Sequence, residues 1–146
     1  MNLLHLPYLF FIDVWGICFC EKPMGGCPLH CYLEKKYEPY AKGLFGSTPD
    51  MMFFFSKITG VKYPWPKYDQ IVVHDFISHV VKNTTDVVHN ENFHQTIGQL
   101  VDGNGWEEVI AHELFYHWFG DLVTTDSWGN LMLNKSFASY TLYLWN

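Results

Sequence analysis

His112 and Glu113 open the run His112-Glu113-Leu114-Phe115-Tyr116-His117, and a histidine followed by a glutamate on a helix begins a metal-hydrolysis arrangement. In H-E-x-x-H, residues four apart sit about 40° apart around the helix axis, so both imidazoles can meet one divalent ion. The neighbouring carboxylate then takes a proton from metal-bound water. A third ligand from a following helix leaves one coordination position open. Here Tyr116 stands at the second position, and a phenol with a pKa of about 10 is a poor ligand at neutral pH. His117 is rotated about 140° from His112 and is expected in the core or at its rim.

The run continues as Trp118-Phe119-Gly120-Asp121-Leu122-Val123-Thr124, then Trp128, Leu131, Leu133-Asn134 and Phe137-Ala138. Upstream lie Tyr63-Pro64-Trp65-Pro66-Lys67-Tyr68-Asp69 and His79-Val80-Val81-Lys82-Asn83. In this order and spacing they resemble the gluzincin zinc aminopeptidases, the family of membrane alanyl aminopeptidase. That family reads H-E-L-x-H-x-W-F-G-D-L-V-T, then W-x-x-L-W-L-N-E-x-F-A, with a Y-P-W-x-K-Y-D segment and a G-A-M-E-N loop upstream. The resemblance covers roughly residues 8–146.

The resemblance implies an α+β chain that is the first half of a thermolysin-like metallopeptidase catalytic domain, a short sheet followed by the zinc-site helices. Residues 29–146 form this half, and residues 1–28 are the remnant of a preceding β domain and its linker. The implied cofactor is zinc and the implied substrates are peptide N-termini. His112 falls on the first zinc-ligand position and Glu113 on the general base. Tyr116 and Lys135 fall on the second and third ligand positions, where the family has His and Glu. Lys82 falls on the loop Glu that grips the substrate's α-amino group, with Asn83 beside it. The family's oxyanion tyrosine belongs to a region beyond the matched residues, so the chain is read as an internal fragment.

With three of these positions replaced, the expectation is a catalytically silent member that does not bind zinc. The alternative is an active zinc metallo-aminopeptidase with a non-standard site or one completed by another chain. Two carboxylates exchanged for ammonium groups should turn the pocket from net negative to net positive, favouring anions over an amine. Lys135 is expected to fill the metal's space and pair with Glu113, because a buried lone carboxylate is costly.

The elements that must position these residues follow from pattern and punctuation. Aromatic and branched residues predict strands over 8–15, 29–34, 70–76 and 86–89. A turn is predicted at 22–26, helix over 37–46, and a helix over 49–59 capped by Thr48, started by Pro49 and stopped at Gly60. Met52, Phe55 and Ile58 would share its core face. Two prolines keep 63–67 irregular, residues 79–83 form a loop, and Asp102-Gly103-Asn104-Gly105 marks a turn. The site helices are predicted over 106–123 and 134–145. Strands early and helices late suggest an α+β arrangement.

Composition narrows the rest. Hydrophobic content of 49% supports a packed core rather than disorder. Six Trp, nine Tyr and twelve Phe in 146 residues predict aromatic surface that lies against something else, including a second copy. A net charge of −6 without a basic cluster excludes a nucleic-acid footprint. Residues 1–12 are apolar but lack a basic leader, and Asp13 interrupts them short of a span, so they read as a buried strand and no membrane span is expected. No compartment follows from this. Cys18, Cys20, Cys27 and Cys31 could hold zinc or form two disulfides, but their spacing matches no common zinc pattern, so they are read as thiols. His74, His79, His89 and His94 have no ligand spacing and are read as ordinary polar residues.

Overall fold

The computed structural model describes residues 16–19, 26–76, 80–101 and 105–145. The predicted strand at 8–15, most of the 22–26 turn, residue 79, Cys20 and most of the 102–105 turn lie outside them.

A five-stranded sheet of order β1-β2-β3-β5-β4 organises the first half. β1 (Gly16–Phe19) runs antiparallel to β2 (Leu29–Leu33), pairing Gly16 with Leu33. β2 runs parallel to β3 (Tyr68–Val73), and β3 parallel to β5 (Asp86–Asn90). β4 (Val80–Asn83) closes the edge antiparallel to β5. The burial of these strands explains their places. β3 is buried from Tyr68 to Val72 and is central, whereas β2 buries Leu29, Cys31 and Leu33 on one face only. Residues 80–83, expected as a loop, are a strand because Val80 and Val81 precede a two-residue hairpin at Thr84-Thr85.

The chain is a mixed α+β arrangement of a small sheet and helices, in which helices also separate β2 from β3. A 3-10 turn (Lys35–Tyr40), α1 (Ala41–Phe45) and α2 (Thr48–Thr59) carry the chain back across the sheet, the crossover that parallel pairing requires. The predicted 37–46 helix is divided there, with Pro39 inside the 3-10 portion. Ser47 is the N-cap of α2 and makes no side-chain cap. Thr48 instead accepts a hydrogen bond from Gln70 Nε2 at 3.1 Å inside the core. Gly60 ends α2 at φ 70°, a left-handed conformation that suits glycine. Met52 and Phe55 are buried, but Ile58 is exposed.

α3 (Ile97–Leu100), α4 (Glu107–Phe115) and α5 (Leu131–Trp145) complete the chain. The core lies between sheet and helices, where Phe55 meets Phe115 edge-on at 5.2 Å. Trp118 Nε1 donates to the Val61 carbonyl at 2.8 Å, satisfying the one polar atom of a buried indole. Each such buried side chain contributes roughly 1.5–3 kcal/mol. α5 buries Asn134, Ala138 and Thr141, a stripe at helical spacing whose small residues let α4 approach. Its other faces leave Met132, Leu133, Phe137, Tyr140 and Tyr143 exposed. Among the described residues, no helix is long and apolar enough to cross a membrane.

α4 ends at Phe115, well short of the predicted 123. Beyond it, Trp118 N bonds Phe115 O, whereas Asp121 N, Leu122 N and Val123 N reach back five residues, to Tyr116, His117 and Trp118. The chain thus tightens and then widens into a turn around Gly120 (φ 155°). His117 explains the stop, since its Nδ1 lies 3.2 Å from both the Glu113 and Leu114 carbonyls. A side-chain donor there serves carbonyls at the helix end.

Candidate functional site

α4, α5 and β4 converge on the positions singled out in the sequence. His112 and Tyr116 remain one turn apart on α4, with their rings edge-to-face at 5.0 Å. Tyr116 is the C-cap residue of α4 and keeps helical dihedrals, so the i, i+4 geometry survives although the second imidazole does not. The His112 ring hydrogen-bonds the Ala138 carbonyl on α5. Burial lowers its pKa, the Ala138 bond opposes that, and the Lys135 charge adds to it. His117 is fully buried among Tyr63, Tyr68 and Trp118.

Lys82 is the residue whose charge acts on Glu113. From β4, its ammonium pairs with Asp121 and lies 4.9 Å from the centroid of the Tyr116 ring. A Cβ at Gly120 would approach the Lys82 Nζ and the Tyr116 carbonyl at 2.9 Å, so the turn after α4 needs glycine to let these groups close. Burial raises the Glu113 carboxyl to about 7, and the Lys82 charge works against that rise. Tyr116 is raised as well, first by burial and then by Glu113. Asn83 is exposed, and its Oδ1 accepts from the Thr84 N–H in its own hairpin at 3.0 Å.

The expected Lys135–Glu113 ion pair does not form. Lys135 is exposed on α5, and among the described residues the lysine ion pairs are those of Lys36, Lys67 and Lys82. The expected positive pocket does not arise either, because Asp121 neutralises Lys82 and Lys135 stands in solvent. The physical reason is packing: Asn134, not its neighbour, occupies the inward stripe of α5.

These side chains differ from the ligand set that the family motif carries. Of the three ligand positions, His112 alone offers a donor that zinc accepts at neutral pH. Tyr116 holds its proton more tightly than usual, Lys135 is a cation, and Lys82 adds a second cation over the Tyr116 ring.

A different cluster was not legible in the sequence. Glu34, His74 and His94 bring one ligand atom each within 4.8 Å of one another, although His74 and His94 were read as ordinary polar residues. Glu34 follows β2, His74 follows β3, and His94 follows the 3-10 turn Glu91–Phe93 after β5. Sequence separation hid them, since Glu34 and His74 lie 40 residues apart. The topology joins them at the carboxyl ends of three neighbouring strands.

Comparison with known proteins bears on the motif region. The chain is similar to "Aminopeptidase 2, mitochondrial" of Saccharomyces cerevisiae, with 30% identity over 125 residues. That alignment covers 68% of this chain and 13% of the yeast protein, so the chain spans a small part of that relative. Residues 44–146, from α1 through α5 and including every site position on β4, α4 and α5, match the Peptidase family M1 domain. The chain therefore belongs to peptidase family M1, whose aminopeptidase members are the gluzincins that its motifs resemble.

Proposed function

We propose that this chain is a catalytically silent member of the zinc aminopeptidase family, built on the front half of a thermolysin-like domain, whose vestigial site holds no zinc. The observation that carries this is the Lys82 ammonium lying 4.9 Å over the Tyr116 ring. Two replaced positions face each other, and the amine-anchor position puts an ammonium over the ring that stands at the second-ligand position. Glu113 keeps the general-base position, and burial holds its carboxyl near 7, but a base without a metal-bound water lacks its nucleophile. Lys82 also cannot anchor a substrate ammonium, since like charges repel.

The exposed apolar side chains of α5, together with Trp128 at 88% exposure, support a role in contact with another surface, including a second copy of the chain.

The test is turnover of alanyl and leucyl reporter substrates with added zinc. No zinc-dependent cleavage is expected from the chain. Recovering turnover should need at least Tyr116→His, Lys135→Glu and Lys82→Glu together, because the metal ligands and the amine anchor act as a unit. Zinc-dependent cleavage by the unaltered chain, abolished by His112→Ala, would overturn this reading in favour of an active or complemented enzyme.

A further inference from the structure

β2, β3 and β5 run parallel and adjacent, so their carboxyl ends open on the same edge of the sheet. Such edges are where open α/β sheets gather ligands, because the connecting loops diverge there. β3 stops sharply at this edge: Asp75 has φ 54° and turns the chain away directly after His74. β2 ends one residue before Glu34, and the backbone bond from Tyr37 N to Glu34 O at 2.8 Å folds Tyr37 back over the edge. There Tyr37 stacks on His94 at 4.0 Å with rings 8° apart, fixing the imidazole plane.

His94 is the informative member. Its side chain is 2% exposed, yet neither ring nitrogen has a hydrogen-bond partner. A buried polar ring left this way is costly, and such groups are normally satisfied. Its Nδ1 faces Glu34 Oε1 at 3.8 Å, beyond a hydrogen bond but at a separation that a shared ion could close. Bonds of about 2.1 Å in a tetrahedral site put ligand atoms roughly 3.4 Å apart. His74 Nε2 contacts the same Glu34 oxygen from the solvent side. Lys36 holds the other carboxylate oxygen at 2.9 Å, which leaves Oε1 to serve the two histidines.

We propose that Glu34, His74 and His94 form a divalent transition-metal site at the carboxyl edge of the sheet, distinct from the vestigial site on α4. Two imidazoles and one carboxylate suit zinc, cobalt or nickel rather than calcium or magnesium, which prefer all-oxygen shells. A neutral imidazole offers a nitrogen lone pair to a metal, and the Nδ1 of His94 already faces Glu34. The exposed side of His74 leaves water to complete the coordination.

The experiment titrates the untagged, chelator-stripped full chain with Zn2+ by calorimetry and with Co2+ by visible absorption. Saturation at one equivalent is expected, with a zinc-dependent rise in Tm. His74→Ala removes an exposed ligand with little risk to folding. It and Glu34→Gln should each weaken binding at least about tenfold, since even outer-shell partners cost about 10–100-fold in affinity. His112→Ala should leave binding unchanged. Absence of binding, or binding indifferent to His74→Ala and Glu34→Gln, overturns the site. Binding lost through His112→Ala instead would also overturn the silent reading of α4. Loss of turnover-related zinc and loss of sheet-edge zinc thus read out on different variants.

Discussion

The α4–α5 pair and the carboxyl edge of β2, β3 and β5 present opposite halves of what a metal site requires. On α4, His112 and Tyr116 keep the one-turn separation that brings two side chains together, but a phenol stands where the motif has its second imidazole. At the sheet edge the donors are right, with two imidazoles and a carboxylate within 4.8 Å, yet no local spacing announces them. A helical motif guarantees only that two Cα positions share a face. What those positions bind is decided by their atoms and by the charges packed against them.

A third histidine separates burial from ligation. His89 on β5 is fully buried, both its ring nitrogens lack hydrogen-bond partners, and it packs on Phe93 at 3.9 Å. Unlike His94, it has no carboxylate ion pair among the described residues. Burial pulls its pKa from 6.5 down to about 3. Below pH 6.5 the unfolded chain therefore binds a proton that the folded chain refuses, and stability falls as the pH drops from 6.5 towards 3. His89→Leu, of similar volume, should remove this contribution. Between pH 7 and pH 4 the loss of unfolding free energy should shrink by about 3 kcal/mol, from 1.36 kcal/mol per pKa unit. Urea unfolding across pH measures it, and metal binding by the variant should be unaffected. An unchanged acid limb would show that His89 is satisfied or solvated in the folded chain.

Lys82 tests the other region. Its ammonium serves Asp121, whose side chain is 11% exposed, and lies over the Tyr116 ring. Removing one partner of a buried pair costs about 3–5 kcal/mol, while exposed pairs contribute about 0–1 kcal/mol. Lys82→Met should fall between these limits, near 2 kcal/mol, and Lys82→Met with Asp121→Asn should recover most of the loss. The single variant should also raise the Glu113 pKa further, because Lys82 is the charge that holds it down. Neutral stability with an unmoved Glu113 titration would mean that Lys82 lies in solvent.

The sequence carried the family and the helix bearing its motif, because both rest on local runs that a linear reading preserves. It carried Gly60 as the stop of α2 for the same reason, and placed the start one residue late, at Pro49 instead of Thr48. It missed the early stop of α4, which depends on the His117 ring taking the Glu113 and Leu114 carbonyls. That competition between side chain and backbone is set by rotamer and burial rather than by periodicity. It missed β4, whose short Val80-Val81 run acquires meaning only against β5. Glu34, His74 and His94 were invisible because each is an isolated residue at the end of a different strand. Only the order β2-β3-β5 brings them together.

The smallest expected effect belongs to Lys135, the residue from which the sequence promised most. As the third-ligand position it was expected to reach into the metal's space and neutralise Glu113. The inward stripe of α5 runs through Asn134, Ala138 and Thr141 instead, and Lys135 lies exposed beside it. Its charge is felt at His112, where it helps burial keep the imidazole neutral, but Glu113 answers to Lys82. Lys135→Met should therefore change stability by less than about 0.5 kcal/mol, the usual range for a surface substitution. A double-mutant cycle of Lys135→Met with Glu113→Gln should give a coupling indistinguishable from zero, whereas Lys82→Met with Glu113→Gln should not. Coupling above about 1 kcal/mol between Lys135 and Glu113 would restore the ion pair across the two helices. It would make the α4–α5 site a charge-swapped copy of the family's rather than one in which Glu113 answers to Lys82.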